Sequence, residues 1–331
     1  MLGIKKGGIE SLVEDYPGRL GLLSKGMSTS GAMDNLSLRL ANLIVGNPIT
    51  EAAIEITGGY FEAEFLDDAV IAVTGADMSP MLNGKEIPMW EAVEAKKGDI
   101  IKLSVFKKYG FRAYLGVAGG VDVPLYLGSK STCVFGSYGG LEGRPLKEGD
   151  EIKIGKSPRK FSELIGRKLK EDFIPAYSNV WEIKAIPGPN TSPDYVTQKG
   201  MEYLFEEVHK VQHTSNRSAY RLEDVPGYFF ARTDGGEGGS HPSNIVDHGY
   251  AVPGTLNICG NTPIILCVDG PTLGGYINSL QVIYADLWKI GQTAPIRDKI
   301  KFVYCTQKEA IDLRKQQKDM FNENSIEKRR G

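Results

Sequence analysis

Short apolar runs rich in β-branched residues alternate with polar turn residues along most of the chain. The clearest runs cover residues 69–73, 100–105, 113–117, 180–185 and 264–268. Runs of this length bounded by Gly, Pro, Asn and Asp are typical of β-strands. Asn83 and Gly84 both tolerate the positive φ angles of a tight hairpin turn, so we expect a hairpin there. The pattern predicts a mainly β protein with a few helices.

Helical periodicity is confined to a few segments. Asp34 is a candidate N-cap for a helix in which Leu36, Leu40, Leu43 and Ile44 share one face. Residues 192–194 are predicted to open a second helix, and residues 285–290 form one or two short turns. Residues 306–320 are rich in helix formers, which predicts a helix near the C-terminal end.

A turn followed by a strand recurs at residues 97–100, 148–152 and 296–300. Each repeat is expected to close a segment with a final strand, near residues 103, 154 and 303. A charged stretch between about 155 and 182 separates two strand-rich regions. We therefore expect two β-rich domains, 1–157 and 178–310, followed by a helical tail, 311–331.

Charge and cysteine content exclude several classes of protein. Lys and Arg number 39 against 41 Asp and Glu, a formal net charge of −2, which argues against a nucleic-acid or anionic-membrane binder. No apolar run is long enough to span a membrane, and no apolar signal segment is present, so we expect a cytoplasmic protein. The four cysteines contain no CxxC pair, which predicts buried reduced thiols and no metal site.

Several familiar catalytic motifs are missing from the sequence. It contains no phosphate-binding loop, no dinucleotide-binding glycine unit, no nucleophile elbow and no H-E-x-x-H pair. A biotin-attachment site of the Met-Lys-Met type is also missing. If the chain is an enzyme, we expect no covalently attached prosthetic group.

Residues 232–247 form the densest polar segment, with four glycines among ionisable side chains. Such loops bring backbone N–H groups close to a ligand while polar side chains converge. Glu237, His241, Asn244 and Asp247 are the candidate functional residues here. The alternative is a polar surface loop with ordinary turn chemistry, and His241 taken alone is more often structural.

A second glycine-rich loop follows a buried strand at residues 268–276. Paired glycines at Gly274 and Gly275 are candidate hydrogen-bond donors to an oxyanion, with Asp269, Thr272 and Tyr276 as polar neighbours. The alternative is a hairpin with a bulge.

Two further groups of residues are candidate anion-binding elements. Arg217, Tyr220 and Arg221 place two guanidinium groups and a phenol close together, which suits a carboxylate. The alternative is a solvated strand face. Ser30 and Gly31 precede Asp34 at a helix start, where free N–H groups favour anions. The alternative is ordinary capping by Ser30 or Asp34.

Several sequence blocks resemble the biotin-dependent carboxyltransferase family, also called the allophanate hydrolase subunit 2 family. The resemblance runs from about residue 8 to 304. Its blocks are residues 13–21 (VEDYPGRLG), 30–34 (SGAMD), 39–47 (RLANLIVGN), 73–76 (VTGA), 117–124 (VAGGVDVP) and 127–132 (LGSKST). The Asp269-Gly-Pro sequence and the 234–244 loop resemble the urea carboxylase branch, although Tyr276 stands where that branch often has Phe. Asn216 replaces a more common Asp.

The resemblance implies a fold, a reaction and partners. It implies β-rich, cyclophilin-like barrel units and transfer of a carboxyl group from carboxybiotin to a nitrogen of urea or a related amide or amidine. Carboxybiotin would arrive on a separate biotin carrier, charged by an ATP-dependent biotin carboxylase. A subunit 1 would supply the other half of the carboxyltransferase domain in a hetero-oligomer.

The same resemblance implies roles for the candidate residues. Glycines 274, 275 and 31 and Ser30 would donate hydrogen bonds, and Arg221 or Tyr220 would hold a carboxylate. Candidate catalytic residues, which would orient or deprotonate the acceptor, are Glu237, His241, Asp247 and Asp269. Two alternatives remain open: a subunit of an ATP-dependent 5-oxoprolinase, and a regulatory antagonist of a kinase inhibitor.

Overall fold

A computed structural model describes residues 1–246 and 252–328. The chain divides into two compact units. The first contains residues 1–20, 30–177 and the C-terminal residues from Gln317 on, and the second contains residues 21–29 and 178–316. Within the described residues, no helix has the length and apolar character needed to cross a membrane.

Two large antiparallel sheets form the core of the first unit, and their strands are interleaved in the sequence. The strands of these two sheets, in chain order, are β1 (Leu2–Gly7), β2 (Glu10–Glu14), β3 (Ala53–Thr57), β4 (Phe61–Phe65), β5 (Ala69–Gly75), β6 (Met81–Leu82), β7 (Lys85–Glu86), β8 (Ala92–Ala95), β9 (Ile100–Leu103), β10 (Arg112–Val117), β11 (Val121–Asp122) and β12 (Glu151–Ile154). One sheet has the order β11-β12-β1-β4-β9-β6-β7 and the other β2-β3-β10-β5-β8. Apolar side chains from both sheets share one hydrophobic core.

The expected tight hairpin joins β6 and β7. Met81 pairs with Glu86 and Leu82 with Lys85, which leaves Asn83 and Gly84 as the two turn residues. Their φ angles are +51° and +74°, the left-handed values that a two-residue hairpin of this type requires. The hairpin prediction is confirmed.

Helix α1 (Asn35–Ile44) covers the outer face of the five-stranded sheet. Asp34 caps it, because its carboxylate accepts the Ser37 N–H at 2.9 Å. An added Cβ at Gly116 of β10 would lie 3.0 Å from the Ala41 Cβ, so the helix lies close against this strand. The predicted start of this helix is confirmed. The predicted single apolar face is not, because all ten residues are buried, and Leu38 and Ala41 are the helix residues that cluster with Tyr114 of the sheet.

The second unit contains one seven-stranded sheet. Its strands are β14 (Val180–Pro187), β15 (His209–Lys210), β16 (Ala219–Arg221), β17 (Thr255–Cys259), β18 (Thr262–Leu266), β19 (Asn278–Val282) and β20 (Lys299–Tyr304). The order is β15-β20-β14-β19-β17-β18-β16, and β14 runs parallel to β20. The mainly β class is therefore confirmed for the described residues.

The remaining helices and strands partly correct the expectations. Helix α2 (Phe161–Leu164) is followed in chain order by β13 (Arg167–Leu169), α3 (Gln198–Glu206), α4 (Leu287–Gln292), α5 (Gln307–Asp319) and β21 (Ile326–Lys328). Helix α3 begins several residues after the predicted start because Thr197 provides its cap, accepting the Gly200 N–H at 2.9 Å. The C-terminal tail is not helical throughout, since β21 pairs with β13 in the first unit.

The four cysteines are free thiols. Cys133, Cys267 and Cys305 are buried as expected, and Cys259 is half-buried.

Candidate functional site

Residues 232–246 and 269–277 meet in the second unit and form what we call the loop cluster. Asn244 and Tyr276 face each other in an antiparallel bridge. The Ile245 N–H donates to the Gly275 carbonyl at 2.9 Å, and the Ile277 N–H donates to the Ser243 carbonyl at 2.9 Å. Two segments singled out separately in the sequence are thus one structural element.

Three glycines of the first segment are needed for its own packing. A Cβ at Gly235 would lie 2.8 Å from the Asn244 Cβ, and one at Gly238 would lie 2.7 Å from the Ile245 carbonyl carbon. A Cβ at Gly239, which has a φ of +137°, would lie 2.7 Å from the Asn244 Oδ1. These glycines let residues 235–239 wrap tightly around Asn244 and Ile245.

Gly275 in the second segment has a different environment. A Cβ there would have no described atom within 4 Å. No part of residues 1–246 and 252–328 therefore blocks the approach of another molecule on this side of the Gly275 backbone.

Arg232 holds the turn of the loop cluster, although sequence reasoning did not select it. Its Nε donates to the Pro242 carbonyl at 2.8 Å, its Nη2 donates to the Asn244 carbonyl, and its guanidinium lies 4.8 Å from the Tyr195 ring centroid. A planar fork of donors is well suited to two neighbouring carbonyl groups. The only sequence signal is the position of Arg232 at the start of the glycine-rich segment.

His241 is fixed in the loop cluster through its Nδ1 atom. The Ser243 N–H lies 3.1 Å and the Ser243 Oγ 2.9 Å from this nitrogen. Ser243 is itself fully buried, and its Oγ accepts the Gly260 N–H at 3.1 Å. The ring packs edge-on to Phe230 at 5.4 Å between centroids. His241 remains half-buried.

The other candidates in the first segment have varied environments. Glu237 is exposed on a short 3₁₀ turn, Gly236–Gly238. Asn244 is half-buried, and its Oδ1 accepts the His241 N–H at 3.1 Å, which is turn chemistry. Asp247 lies outside the described residues.

Arg217 and Asp269 form a buried ion pair. The Arg217 Nε donates to the Asp269 Oδ2 at 2.8 Å, and both side chains are almost completely enclosed. The Asp269 N–H also donates to the Arg217 carbonyl at 3.1 Å. Within the described residues, the other carboxylate oxygen, Oδ1, is buried without a hydrogen-bond partner. Arg217 therefore pairs with Asp269 inside the protein, and its use with Arg221 as a clamp on a carboxylate stays a prediction.

Tyr220 and Arg221 lie on β16 and point to opposite faces of the sheet, as successive strand residues do. Tyr220 is fully buried and donates its hydroxyl to the Thr293 carbonyl at 2.9 Å. Arg221 is half-buried and donates to the Thr214 carbonyl at 2.9 Å. The two residues therefore do not serve one carboxylate together, and Tyr220 has an internal structural contact.

Beyond the buried Asp269, the second segment of the loop cluster keeps its polar side chains near the surface. Thr272, Gly274 and Tyr276 are half-buried. The pKa of the Tyr276 hydroxyl is raised, first by its hydrogen bond to the Cys259 side chain and then by the charge of that group and by burial.

The 30–34 loop belongs to the first unit, and protein groups already occupy its N–H donors. Ala32, Met33 and Asp34 donate to the Asp15 carbonyl at 3.2 Å, the Glu55 Oε2 at 2.8 Å and the Tyr114 hydroxyl at 2.7 Å. The N–H groups of Ala32, Met33 and Asp34 are therefore satisfied within the protein, and the capping alternative describes Asp34. The hydrogen-bond role predicted for Ser30 and Gly31 stays a prediction. Ser30 has a φ of +52°, and its buried Oγ has no partner among the described residues.

A buried polar network lies beneath that loop and was missed in the sequence. Glu55 accepts hydrogen bonds from the Tyr114 hydroxyl at 2.7 Å and from the Arg112 Nε at 3.2 Å. Burial raises the pKa of Tyr114 well above its usual value, with the charges of Glu55 and Asp34 acting in the same direction. The one available signal was a glutamate between two isoleucines in a strand. The alternation of apolar and polar residues along a strand predicts that such a glutamate faces solvent, so the signal pointed away from a buried network.

Comparison with known proteins gives consistent matches over nearly the whole chain. Residues 25–304 match the protein family described as "Carboxyltransferase domain, subdomain A and B". Urea amidolyase of Saccharomyces cerevisiae is 41% identical over 313 residues, which cover 94% of this chain and 17% of that protein. A 5-oxoprolinase subunit of Escherichia coli is 35% identical over 326 residues, which cover 98% of this chain and 97% of that protein.

Comparison of the fold with solved structures also matches this chain to a urea amidolyase. The crystal structure of the K. lactis urea amidolyase superposes with a TM-score of 0.92 at 37% sequence identity. The match covers 98% of this chain and 20% of that one. This chain therefore spans only about a fifth of the length of the urea amidolyases that it resembles.

Proposed function

Because this chain belongs to the carboxyltransferase domain family, subdomain A and B, we propose that it forms part of a site that transfers a carboxyl group from carboxybiotin to a nitrogen of urea. The observation that carries the proposal is the loop cluster. It combines an open backbone at Gly275 with half-buried polar side chains at His241 and Thr272. Similarity to urea amidolyase along 94% of the chain supports urea as the acceptor.

The residues present fit the carboxylated ureido ring of biotin. That group is rich in carbonyl and carboxylate oxygens, which require N–H and O–H donors. The His241 imidazole, the Thr272 hydroxyl and the open Gly275 backbone are groups of this kind on one element. The Asp269 Oδ1, which has no hydrogen-bond partner among the described residues, is an acceptor that would suit an N–H donor such as urea.

Carboxybiotin supplies an activated carboxyl group when bound. The residues of this chain would bind and orient the two reactants, exclude water and stabilise oxygens on which negative charge develops. In the overall exchange, the bond from the carboxyl carbon to a biotin nitrogen breaks and a bond to a urea nitrogen forms. One urea proton ends on that biotin nitrogen.

We propose that the remaining functions come from other polypeptides or domains. A biotin carboxylase would use ATP to carboxylate a biotin carrier, and a subunit 1 would complete the carboxyltransferase domain. The small share of urea amidolyase that this chain matches supports this division of labour.

The experiment is reconstitution of the complete system. The chain is co-expressed with subunit 1 and mixed with biotin carboxylase, biotinylated carrier and ATP. We expect ATP cleavage that requires both urea and the biotinylated carrier. Cleavage that does not depend on urea would contradict the proposal.

A second candidate function is that of a 5-oxoprolinase subunit. The supporting observation is that this chain matches 97% of the length of the Escherichia coli 5-oxoprolinase subunit, so the two are of similar extent. The same complex assayed with 5-oxoproline and ATP, without biotin, separates the candidates. Turnover of 5-oxoproline without carrier would favour this second function and overturn the first.

A further inference from the structure

The direction of the hydrogen bonds around Ser243 determines which ring nitrogen of a neutral His241 carries the proton. The Gly260 N–H can only donate, so the Ser243 Oγ accepts at 3.1 Å. The single Ser243 hydroxyl proton is then free to point to the His241 Nδ1 at 2.9 Å. Ser243 is completely buried, so water does not compete for this proton.

A second donor reaches the same nitrogen. The Ser243 backbone N–H lies 3.1 Å from the His241 Nδ1 and, like every amide N–H, can only donate. Nδ1 must therefore present its lone pair. In a neutral imidazole with an unprotonated Nδ1, the proton resides on Nε2.

The Nε2 atom is available to another molecule. Among residues 1–246 and 252–328, no hydrogen bond is made by this atom, and the ring is half-buried. The loop that carries it is tied to the segment with the open Gly275 backbone.

We propose that His241 donates its Nε2–H to a carbonyl or carboxylate oxygen of the bound reactants and does not take a proton from the acceptor nitrogen. A base at Nε2 would need its proton moved to Nδ1, which would then face the Ser243 backbone N–H, a group that can only donate. This inference rests on the proposed function and changes the expected role of His241 from a base to an oxygen-binding group.

Two substitutions of His241 separate the Nε2 donor from the Nδ1 acceptor that holds the side chain against Ser243. In His241→Asn, the Oδ1 replaces Nδ1 as the acceptor for Ser243, but no donor reaches the Nε2 position. In His241→Gln, the side-chain amide supplies a donor near the Nε2 position, but the Nδ1 acceptor is lost. The pair thus removes one function at a time.

The reconstituted complex should distinguish the two variants. Loss of one oxyanion donor typically costs about 10²–10³-fold in kcat, and we expect a loss of that order in His241→Asn. We expect His241→Gln to retain much more activity. A purely structural role predicts the opposite order, because Asn preserves the Ser243 contacts. Equal loss in both variants would overturn the proposal.

Michaelis constants identify which oxygen is bound. A raised KM for urea in His241→Asn indicates the urea carbonyl, and a raised KM for the carboxylated carrier indicates the carboxyl group. Both results support the inference.

The ring proton can be observed without any turnover. In the chain labelled with ¹⁵N-histidine, nitrogen NMR distinguishes protonated from unprotonated ring nitrogens, and His241→Asn assigns the signal. We expect a protonated Nε2 and an unprotonated Nδ1 at neutral pH. A protonated Nδ1 would overturn the inference. If the wild-type complex fails to turn over urea, the proposed function fails, and this measurement still decides the state of His241.

Discussion

Single glycines in the loop cluster serve two different purposes. Gly235, Gly238 and Gly239 lie where a Cβ would collide with Asn244 or Ile245, so they are required by folding. Gly275 has free space where its side chain would be, so no described contact requires a glycine there. The sequence alone shows only that all four are glycine.

This difference predicts opposite behaviour of two alanine variants. Gly235→Ala should lower the free energy of unfolding by about 1–3 kcal/mol, as is typical of overpacking. Gly275→Ala should leave thermal unfolding unchanged, because its methyl group meets no described atom. On the proposed function it should weaken substrate binding in the reconstituted complex, because the methyl group would enter the space assigned to the substrate. Calorimetry and Michaelis constants measure the two effects. Wild-type kinetics in Gly275→Ala would show that a ligand does not approach this backbone.

The buried pair of Arg217 and Asp269 makes a second prediction at this scale. Removing one member of a buried ion pair typically costs about 3–5 kcal/mol because the other charge is left buried and unpaired. We therefore expect Asp269→Ala to destabilise the second unit by that order, as measured by denaturant unfolding. Arg221→Ala, which removes a half-buried guanidinium, is the control and should have a small effect. A stable Asp269→Ala protein would contradict the buried pairing.

At the scale of elements, local signals were sufficient for a hairpin and a helix. Asn83 and Gly84 specify their turn, and Asp34 specifies the start of α1, because both depend on residues within four positions. The start of α3 was predicted too early because a polar Pro-containing turn resembled a cap. The buried role of Glu55 could not be predicted from the sequence, because its partners, Arg112 and Tyr114, lie on a different strand.

Capping by Asp34 can be tested with two substitutions. Asp34→Ala should lower the free energy of unfolding by about 1–2 kcal/mol, the usual cost of losing an N-cap. Asp34→Asn should recover most of that loss because its amide oxygen also accepts the Ser37 N–H. Equal destabilisation by both would indicate that the charge of Asp34, and not capping, is what matters.

His209 of β15 gives the second unit a pH-dependent stability. Burial lowers the pKa of this imidazole below its ordinary value of 6.5, although a hydrogen bond to the Leu204 carbonyl acts against burial. As the pH falls through 6.5, the unfolded chain binds a proton that the folded chain does not, so stability decreases.

We therefore expect the unfolding temperature to fall below about pH 6, and to fall less in His209→Gln. His213→Gln, which changes an exposed histidine, is the matched control and should behave like wild type. Identical pH profiles for wild type and His209→Gln would contradict this account.

At the scale of the whole molecule, neither of the two units is one continuous stretch of the sequence. Residues 21–29 join the second unit, and the residues from Gln317 on return to the first. Strand β21 shows the difficulty, because its partner β13 lies far away in the sequence and no local pattern marks the pairing. The family blocks identified the class of protein, whereas roles for single loop residues depended on contacts that only the folded chain shows.

The carboxyl-transfer half-reaction tests the central claim most directly. Biotin carrier is first loaded with ¹⁴C-labelled carboxyl groups and separated from ATP and biotin carboxylase. It is then mixed with the complex of this chain and subunit 1, with or without urea. We expect the label to move from the carrier to urea only when both the complex and urea are present. Label that stays on the carrier, or is released at the same rate without urea, would contradict a role in carboxyl transfer.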